Sequence, residues 1–259
     1  MIRGLYTSGY SMLTLNRKMD TVSNNMANVN TNGYKKDTVV FEEFSDVLAK
    51  RFSDTGNIPP GRPADIGNMT LYNDISEVHT DYTQGSFENT GMSTDVAING
   101  DDGAFFCVAV PDNNNQFREY YTRDGSFKLS PTGMLVTKDG YPVMGNNGTI
   151  YLNGSDFTIT ENGEVIQNGE TIDILRIRKF ENPESLQKYG NNLITAAGES
   201  RDAAFEGTLQ QGFLERSNVD SVKEMVEMIT VLRAYESNQK MIQYQDSTLE
   251  KAVNEVGRL

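Results

Sequence analysis

Residues 5–29, LYTSGYSMLTLNRKMDTVSNNMANV, place Leu5, Ser8, Met12, Leu15, Met19, Val22, Met26 and Val29 at alternating spacings of three and four. That 3.5-residue repeat is the seam of a coiled coil, and it predicts a long amphipathic helix. Gly4 and Gly9 weaken the first turns. The amide-rich run through Asn28 to Gly33 closes the helix, because Asn-Gly is a strong turn signal. At ~1.5 Å per residue, a helix over 2–28 is about 40 Å long. A helix with such a stripe cannot bury it alone.

The other end of the chain repeats the pattern. Met225, Met228, Leu232, Tyr235, Gln239, Ile242, Asp246, Leu249, Val253 and Val256 form a second heptad column with two polar interruptions. Val222, Val226 and Ile229 add a second stripe in the first half, so this helix has more than one neighbour. Ser217-Asn218 offers an N-cap, and Asp220 and Glu224 suit the positive end of the helix dipole. If continuous over 219–256, the helix spans about 57 Å. Met12, Met19, Met26, Met225, Met228 and Met241 lie on the two helices. Methionine adapts to contacts that differ slightly from one neighbour to the next. Stripes wider than one partner requires point to an interface between subunits rather than a helix pair closed within one molecule.

Between the helices the pattern changes. From Gly85 to Gly212 there are sixteen glycines, separated by short β-branched and aromatic runs. Phe105-Phe106-Cys107-Val108-Ala109-Val110 is one run, and Ile172 to Ile177 alternates. Turn pairs recur at Asp124-Gly125, Asp139-Gly140, Asn147-Gly148, Asn153-Gly154, Asn162-Gly163 and Asn168-Gly169. Short strands at such spacing predict an all-β sandwich or barrel. Phe41, Phe44, Val47 and Leu48 suggest a short amphipathic helix or strap. Gly56 to Pro63, with Pro59, Pro60 and Pro63, cannot continue any helix and reads as a connector. The fold expected is mainly β, with a central all-β domain flanked by long N- and C-terminal α-helices that pair as a coiled-coil-like assembly domain. Its expected segments are 1–38 (N-terminal helix), 39–80 (connector), 81–215 (β domain) and 216–259 (C-terminal helix, pairing with 1–38).

Composition narrows the function. The net charge is −13, against nucleic acid, whose phosphates call for Lys and Arg. Residues 1–40 hold five basic and two acidic residues, and 219–259 hold five and seven, so the two ends carry +3 and −2. Opposite, nearly cancelling charge suits dense packing of the ends. No apolar run reaches the ~20 residues of a membrane-spanning helix, and the first ten residues do not read as a secretory leader. One cysteine, Cys107, cannot form an internal disulfide, and one histidine, His79, disfavours a histidine metal site or triad. Cys107 lies in an apolar strand and reads as a buried thiol. His79, beside Glu77 and Asp81, reads as a surface residue. Asp95, Asp101, Asp102 and Asp124 adjoin glycines and read as turn residues; neither a calcium loop nor a phosphate-binding glycine loop is present. No catalytic residue, metal or cofactor is expected.

Several segments resemble one family. Asn24-Asn25-Met26-Ala27-Asn28, with Thr31, Gly33, Tyr34 and Lys35, is similar to the N-terminal signature N-N-x-A-N-x-x-T-x-G-[YF]-K of bacterial flagellar rod and hook proteins. Leu214-Glu215-Arg216-Ser217-Asn218-Val219-Asp220 and Arg233-Ala234-Tyr235-Glu236-Ser237-Asn238 resemble its C-terminal motif. Thr83 to Phe87, Tyr121 to Phe127 and Gly133 to Val143 resemble its central segments, so the likeness spans the chain. Gly100-Asp101-Asp102-Gly103-Ala104-Phe105-Phe106 is two residues longer than the family's G-x-G-F-F turn.

The resemblance implies a structural subunit of the basal-body rod, most similar to the distal rod class, with proximal rod and hook-type subunits as alternatives. It implies helical self-assembly through the terminal helices, contact with other rod and hook subunits, and passage through the flagellar type III export apparatus. The place implied is the extracytoplasmic basal body, reached without a cleaved signal. The assembly seam expected is Leu5, Met12, Leu15, Met19, Val22, Met26, Val29, Val222, Met225, Val226, Met228, Ile229, Leu232, Tyr235, Ile242, Leu249 and Val253. Asn24, Asn25 and Asn28 cannot serve an apolar seam, so their amides are expected to satisfy backbone groups where the helix ends. The rival from another class is a glycan-binding or hydrolytic β module on a helical stalk.

Overall fold

The computed structural model describes residues 2–43, 47–51, 64–69, 73–112, 116–154, 156–196 and 200–256. The chain divides into two compact units. One holds residues 25–36 and 80–221; the other holds 1–24, 37–79 and 222–259.

The first unit is β. Its central strand, Ala104–Pro111, is apolar without alternation because both faces are covered. Phe106, Val108 and Val110 enter the larger core with Val96, Ile98, Phe127, Leu135 and Val143. Phe105 and Cys107 point the other way, to Tyr82, Tyr121, Phe180, Leu186 and Ile194. The strand sits in a six-stranded sheet ordered Leu186–Gly190, Leu193–Ala196, Phe117–Thr122, Ala104–Pro111, Ile177–Phe180, Asp202–Ala203. Each neighbouring pair is antiparallel.

Two- and three-stranded ribbons surround this sheet. Asn168 and Gly169, at φ 54° and 83°, form the two-residue loop between Glu164–Gln167 and Glu170–Ile174. Both positions are left-handed, which is the reason Asn-Gly marks such hairpins. Among the described residues the strands form this one large sheet and small ribbons, rather than the sandwich or barrel expected. The turn pairs cut many runs to two to four residues, too short for a second broad sheet.

The second unit holds two helices, α1 (Ile2–Ala27) and α2 (Ser221–Lys251). A π-helical turn, Ala252–Val256, follows α2. The helices touch and run antiparallel. Lys18 Nζ lies 2.8 Å from Glu227 Oε1, and a methyl group added at Gly4 would lie 2.5 Å from Gln245 Nε2. α2 begins later than the Ser217-Asn218 cap predicts. Ser217 Oγ instead accepts from the Val219 amide, and Asn218 is drawn into the β unit.

Residues 36–81 are not helical where described. Lys36–Glu43 pairs with Asn73–Asp81, and Val47–Arg51 pairs antiparallel with Ala64–Met69. Thr38-Val39-Val40-Phe41 is β-branched and aromatic, and that preference outweighs the helical spacing read there. Phe44 and Gly56 to Pro63 lie outside the described residues.

Candidate assembly surface and junction

The α1 column read from the sequence is the covered one. Ser8 and Val22 are buried, and Leu5, Met12, Leu15, Met19, Met26 and Val29 are half-buried. Tyr6, Tyr10 and Leu13 stay exposed.

On α2 alternate positions of the covered column are displaced by one residue, with Glu224, Val231, Asn238 and Gln245 covered in place of Met225, Leu232, Gln239 and Asp246. Lys18 and Gly4 meet α2 at Glu227 and Gln245, which fixes the flank turned to α1. Glu224, Met228, Val231, Tyr235, Asn238, Ile242, Gln245 and Leu249 lie on that flank at spacings of four and three, all buried or half-buried. Glu224 is 0 % exposed and Val231 is 3 %. Met228, Tyr235, Ile242 and Leu249 belong to the seam read from sequence, whereas Met225, Leu232 and Val253 are exposed, as are Gln239 and Asp246. The two polar interruptions are therefore solvent positions. Val222, Met225, Val226 and Ile229 make an exposed apolar stripe, with Val222 66 % and Val226 60 % accessible.

A second feature was not visible in any periodicity. In the β unit the motif segments converge on one buried network. Glu215 Oε1 accepts from Lys35 Nζ at 2.7 Å and from the Gly85 amide at 2.9 Å. Its Oε2 accepts from Arg123 Nε at 2.6 Å. All three side chains are at most 2 % exposed. The guanidinium also donates to the carbonyls of Asp101 (2.7 Å), Ala104 and Ile98 (3.3 Å). Lys35 donates to Thr83 O at 2.7 Å. The longer Gly100–Phe106 turn thus has a definite role, since it delivers two of the carbonyls that solvate Arg123.

Burial pushes the Lys35 ammonium below its usual range; Glu215 offsets this in part and Arg123 adds to it. Burial alone would raise the Glu215 carboxyl, but Arg123 and Lys35 together outweigh it and hold the group low. Two cations against one anion is stable here because carbonyl dipoles take up the remaining donors.

Asn218 extends the network along the backbone. Its Oδ1 accepts from the Lys36 amide at 2.8 Å, and its Nδ2 donates to Asp81 O at 2.8 Å and Thr83 O at 3.2 Å. The Gly33 amide donates to Glu215 O at 2.8 Å. Gly33 has φ +65°, and a Cβ there would lie 2.5 Å from the Arg123 carbonyl carbon, so this position takes no other residue. Among the signature amides, Asn25 Oδ1 accepts from Tyr34 Oη and Asn28 Oδ1 from Thr31 Oγ1, both at 3.2 Å. Both bonds lie at the turn after α1, where Asn192 Nδ2 also donates to Asn32 O at 2.7 Å.

Of the other signature residues, Lys35, Ser217 and Val219 are buried, whereas Asn24, Ala27, Arg233 and Glu236 are exposed. Three of the four aspartates read as turn residues have partners in the structure. Asp95 accepts from Thr90 Oγ1, Asp101 pairs with Lys179, and Asp124 accepts from Ser126 and pairs with Lys138. Cys107 is fully buried and free, and burial raises its thiol pKa, which makes it unreactive. His79 is half-buried on the ribbon strand Asn73–Asp81.

Comparison with known proteins gives three domain matches. Residues 5–35 match a flagella basal body rod protein domain, 97–167 a flagellar hook protein FlgE/F/G D1 domain, and 210–255 a flagellar basal body rod FlgEFG protein C-terminal domain. The chain is 36% identical over 270 residues to flagellar basal-body rod protein FlgG of Borreliella burgdorferi, covering 98% of both chains. It is 34% identical to FlgG of Bacillus subtilis, covering 98% of this chain and 99% of that one. It is 31% identical to the flagellar hook-basal body complex protein FlhO of Bacillus subtilis over the whole of both.

Proposed function

The chain belongs to the bacterial flagellar basal-body rod protein family, and we propose that in the basal body it is the distal rod subunit, which polymerises helically to carry torque. Full-length likeness to FlgG proteins supports the distal position. FlhO, matched over its whole length, keeps another rod or hook-type position as the second reading. In either position the work is mechanical, and no bond is made or broken. The subunit passes through the type III export apparatus and meets other rod and hook subunits outside the cytoplasm.

The observation that carries self-assembly is the exposed stripe Val222, Met225, Val226 and Ile229 on a helix whose opposite flank already faces α1. Burying each such side chain contributes ~1.5–3 kcal/mol. A contact that is head-to-tail and does not close builds a filament rather than a ring. The antiparallel pairing of α1 with α2 supports a coiled-coil-like assembly element, and it disfavours a stalk of identical parallel helices.

The test is Val226→Asp with Ile229→Asp. Purified protein should melt as the parent does, because both residues are exposed. In cells lacking the native copy, the variant should be exported but give no complete basal body. Normal basal bodies on micrographs would refute the reading.

A further inference from the structure

In the six-stranded sheet the strands Phe117–Thr122 and Leu186–Gly190 are not neighbours, since Leu193–Ala196 lies between them. Two of their tyrosines meet all the same. The rings of Tyr120 and Tyr189 stand 4.7 Å apart, centroid to centroid, at 42°. The register shift between Lys188 and Gly190 puts Tyr189 at a bulge, and a bulge re-aims the side chain it carries. Both backbones are held. Lys188 Nζ donates to Lys35 O at 2.7 Å, and Thr122 Oγ1 donates to Asn192 O at 3.1 Å. Tyr189 is 61 % exposed, whereas Tyr120 is half-buried against the larger core. Burial raises the Tyr120 phenol pKa, and the adjacent Tyr189 hydroxyl adds to the rise, so Tyr120 keeps its proton at neutral pH. The ring pairs around Phe105, Phe106 and Phe180 each include a phenylalanine, which has no phenol to oxidise.

We propose that Tyr120 and Tyr189 form an oxidative modification site, at which a one-electron oxidant of the haem-peroxidase class, with hydrogen peroxide as terminal acceptor, joins the two rings as dityrosine. The exposed Tyr189 loses an electron and its phenolic proton to the oxidant. Tyr120 passes a hydrogen atom to that radical, and the restored Tyr189 phenol is oxidised again. The two phenoxyl radicals couple through carbons ortho to the hydroxyls. One carbon–carbon bond forms, and the two ortho hydrogens move to the oxygens, which restores both phenols. Two electrons and two protons leave in all, and they reduce one peroxide to two waters. Ring contact set by the fold replaces the chance encounter of two radicals, and that proximity makes this pair couple ahead of others. The product ties Phe117–Thr122 to Leu186–Gly190 across the strand between them. The site does not depend on the rod reading.

The experiment treats the full purified chain, at low concentration, with a haem peroxidase and limiting hydrogen peroxide. Peptide mapping should find residues 120 and 189 joined in a monomeric product lighter by two hydrogens, with the blue fluorescence of dityrosine. The yield should fall about tenfold in Tyr189→Phe, in Tyr120→Phe and in the parent chain unfolded in urea, where the proximity is lost. Tyr6, Tyr151 and Tyr244 are comparably exposed and serve as controls. Links between copies through these tyrosines should rise with protein concentration, whereas the Tyr120–Tyr189 yield should not. Coupling that joins the control tyrosines as often in dilute protein, or that persists in Tyr189→Phe or in urea, overturns the site. So does a dose that oxidises the controls and leaves Tyr120 and Tyr189 separate.

Discussion

At Glu215 one carboxylate answers two buried cations, and the consequences can be measured. Removing one partner of a buried ion pair costs about 3–5 kcal/mol, because the remaining charge is left uncompensated. Glu215→Gln should therefore lower the urea midpoint strongly at pH 7. The sign with pH follows from the depressed Glu215 pKa. The native carboxylate holds its charge better than the unfolded one, so its stabilisation is fully present above the unfolded value of ~4.3. It is lost as pH falls through the folded value. Parent and variant should converge only once the pH has fallen below the depressed folded value, and equal midpoints at pH 7 would contradict the triad. The sequence carries Lys35, Arg123 and Glu215 inside motif segments, yet nothing in their spacing joins them. Lys35 and Glu215 are 180 positions apart, and no local pattern encodes such a pair. The one hint is a charged residue beside buried Leu214 in a short strand.

Among the elements, α2 shows what periodicity can and cannot decide. Two apolar columns one residue apart both fit a helix, and the choice of the one facing α1 depends on the partner. The partner selects the column containing Glu224, Val231, Asn238 and Gln245, three of these four polar. The richer stripe is left outside. Val231→Asp should therefore do what Val226→Asp does not. It should destabilise the isolated helix pair by about 2–4 kcal/mol, from lost burial and an unpaired carboxylate. Thermal circular dichroism of the two variants would check this, and equal melts would mean the flanks are misassigned. On α1 the sequence column and the covered column coincide, because that helix has one apolar stripe to offer. The ribbon strands over 36–81 were less legible. Short runs such as Thr38-Val39-Val40-Phe41 satisfy helical and strand templates alike.

For the molecule as a whole, the arrangement of helices at the ends and β structure between them was readable from the glycine spacing and the two heptad columns. The unit boundaries were not, because residues 25–36 and 216–221 are fastened to the β unit by side chains. A short proteolytic pulse should respect those fastenings. It should remove α1 and α2, where apolar stripes lie open, and leave a core that retains Lys35 and Asn218 by mass spectrometry. Loss of Lys35 before α1 is trimmed would contradict the arrangement.

The pairing of Lys35 with Glu215 also sets an order of events during synthesis. The ribosome delivers Lys35 and Arg123 first, two like charges with no anion between them. The network they form cannot close until Glu215 emerges, 180 positions after Lys35. Closure over so long a stretch of chain is intrinsically slow. A nascent polypeptide of this design stays unlatched for the whole interval between the making of Lys35 and that of Glu215.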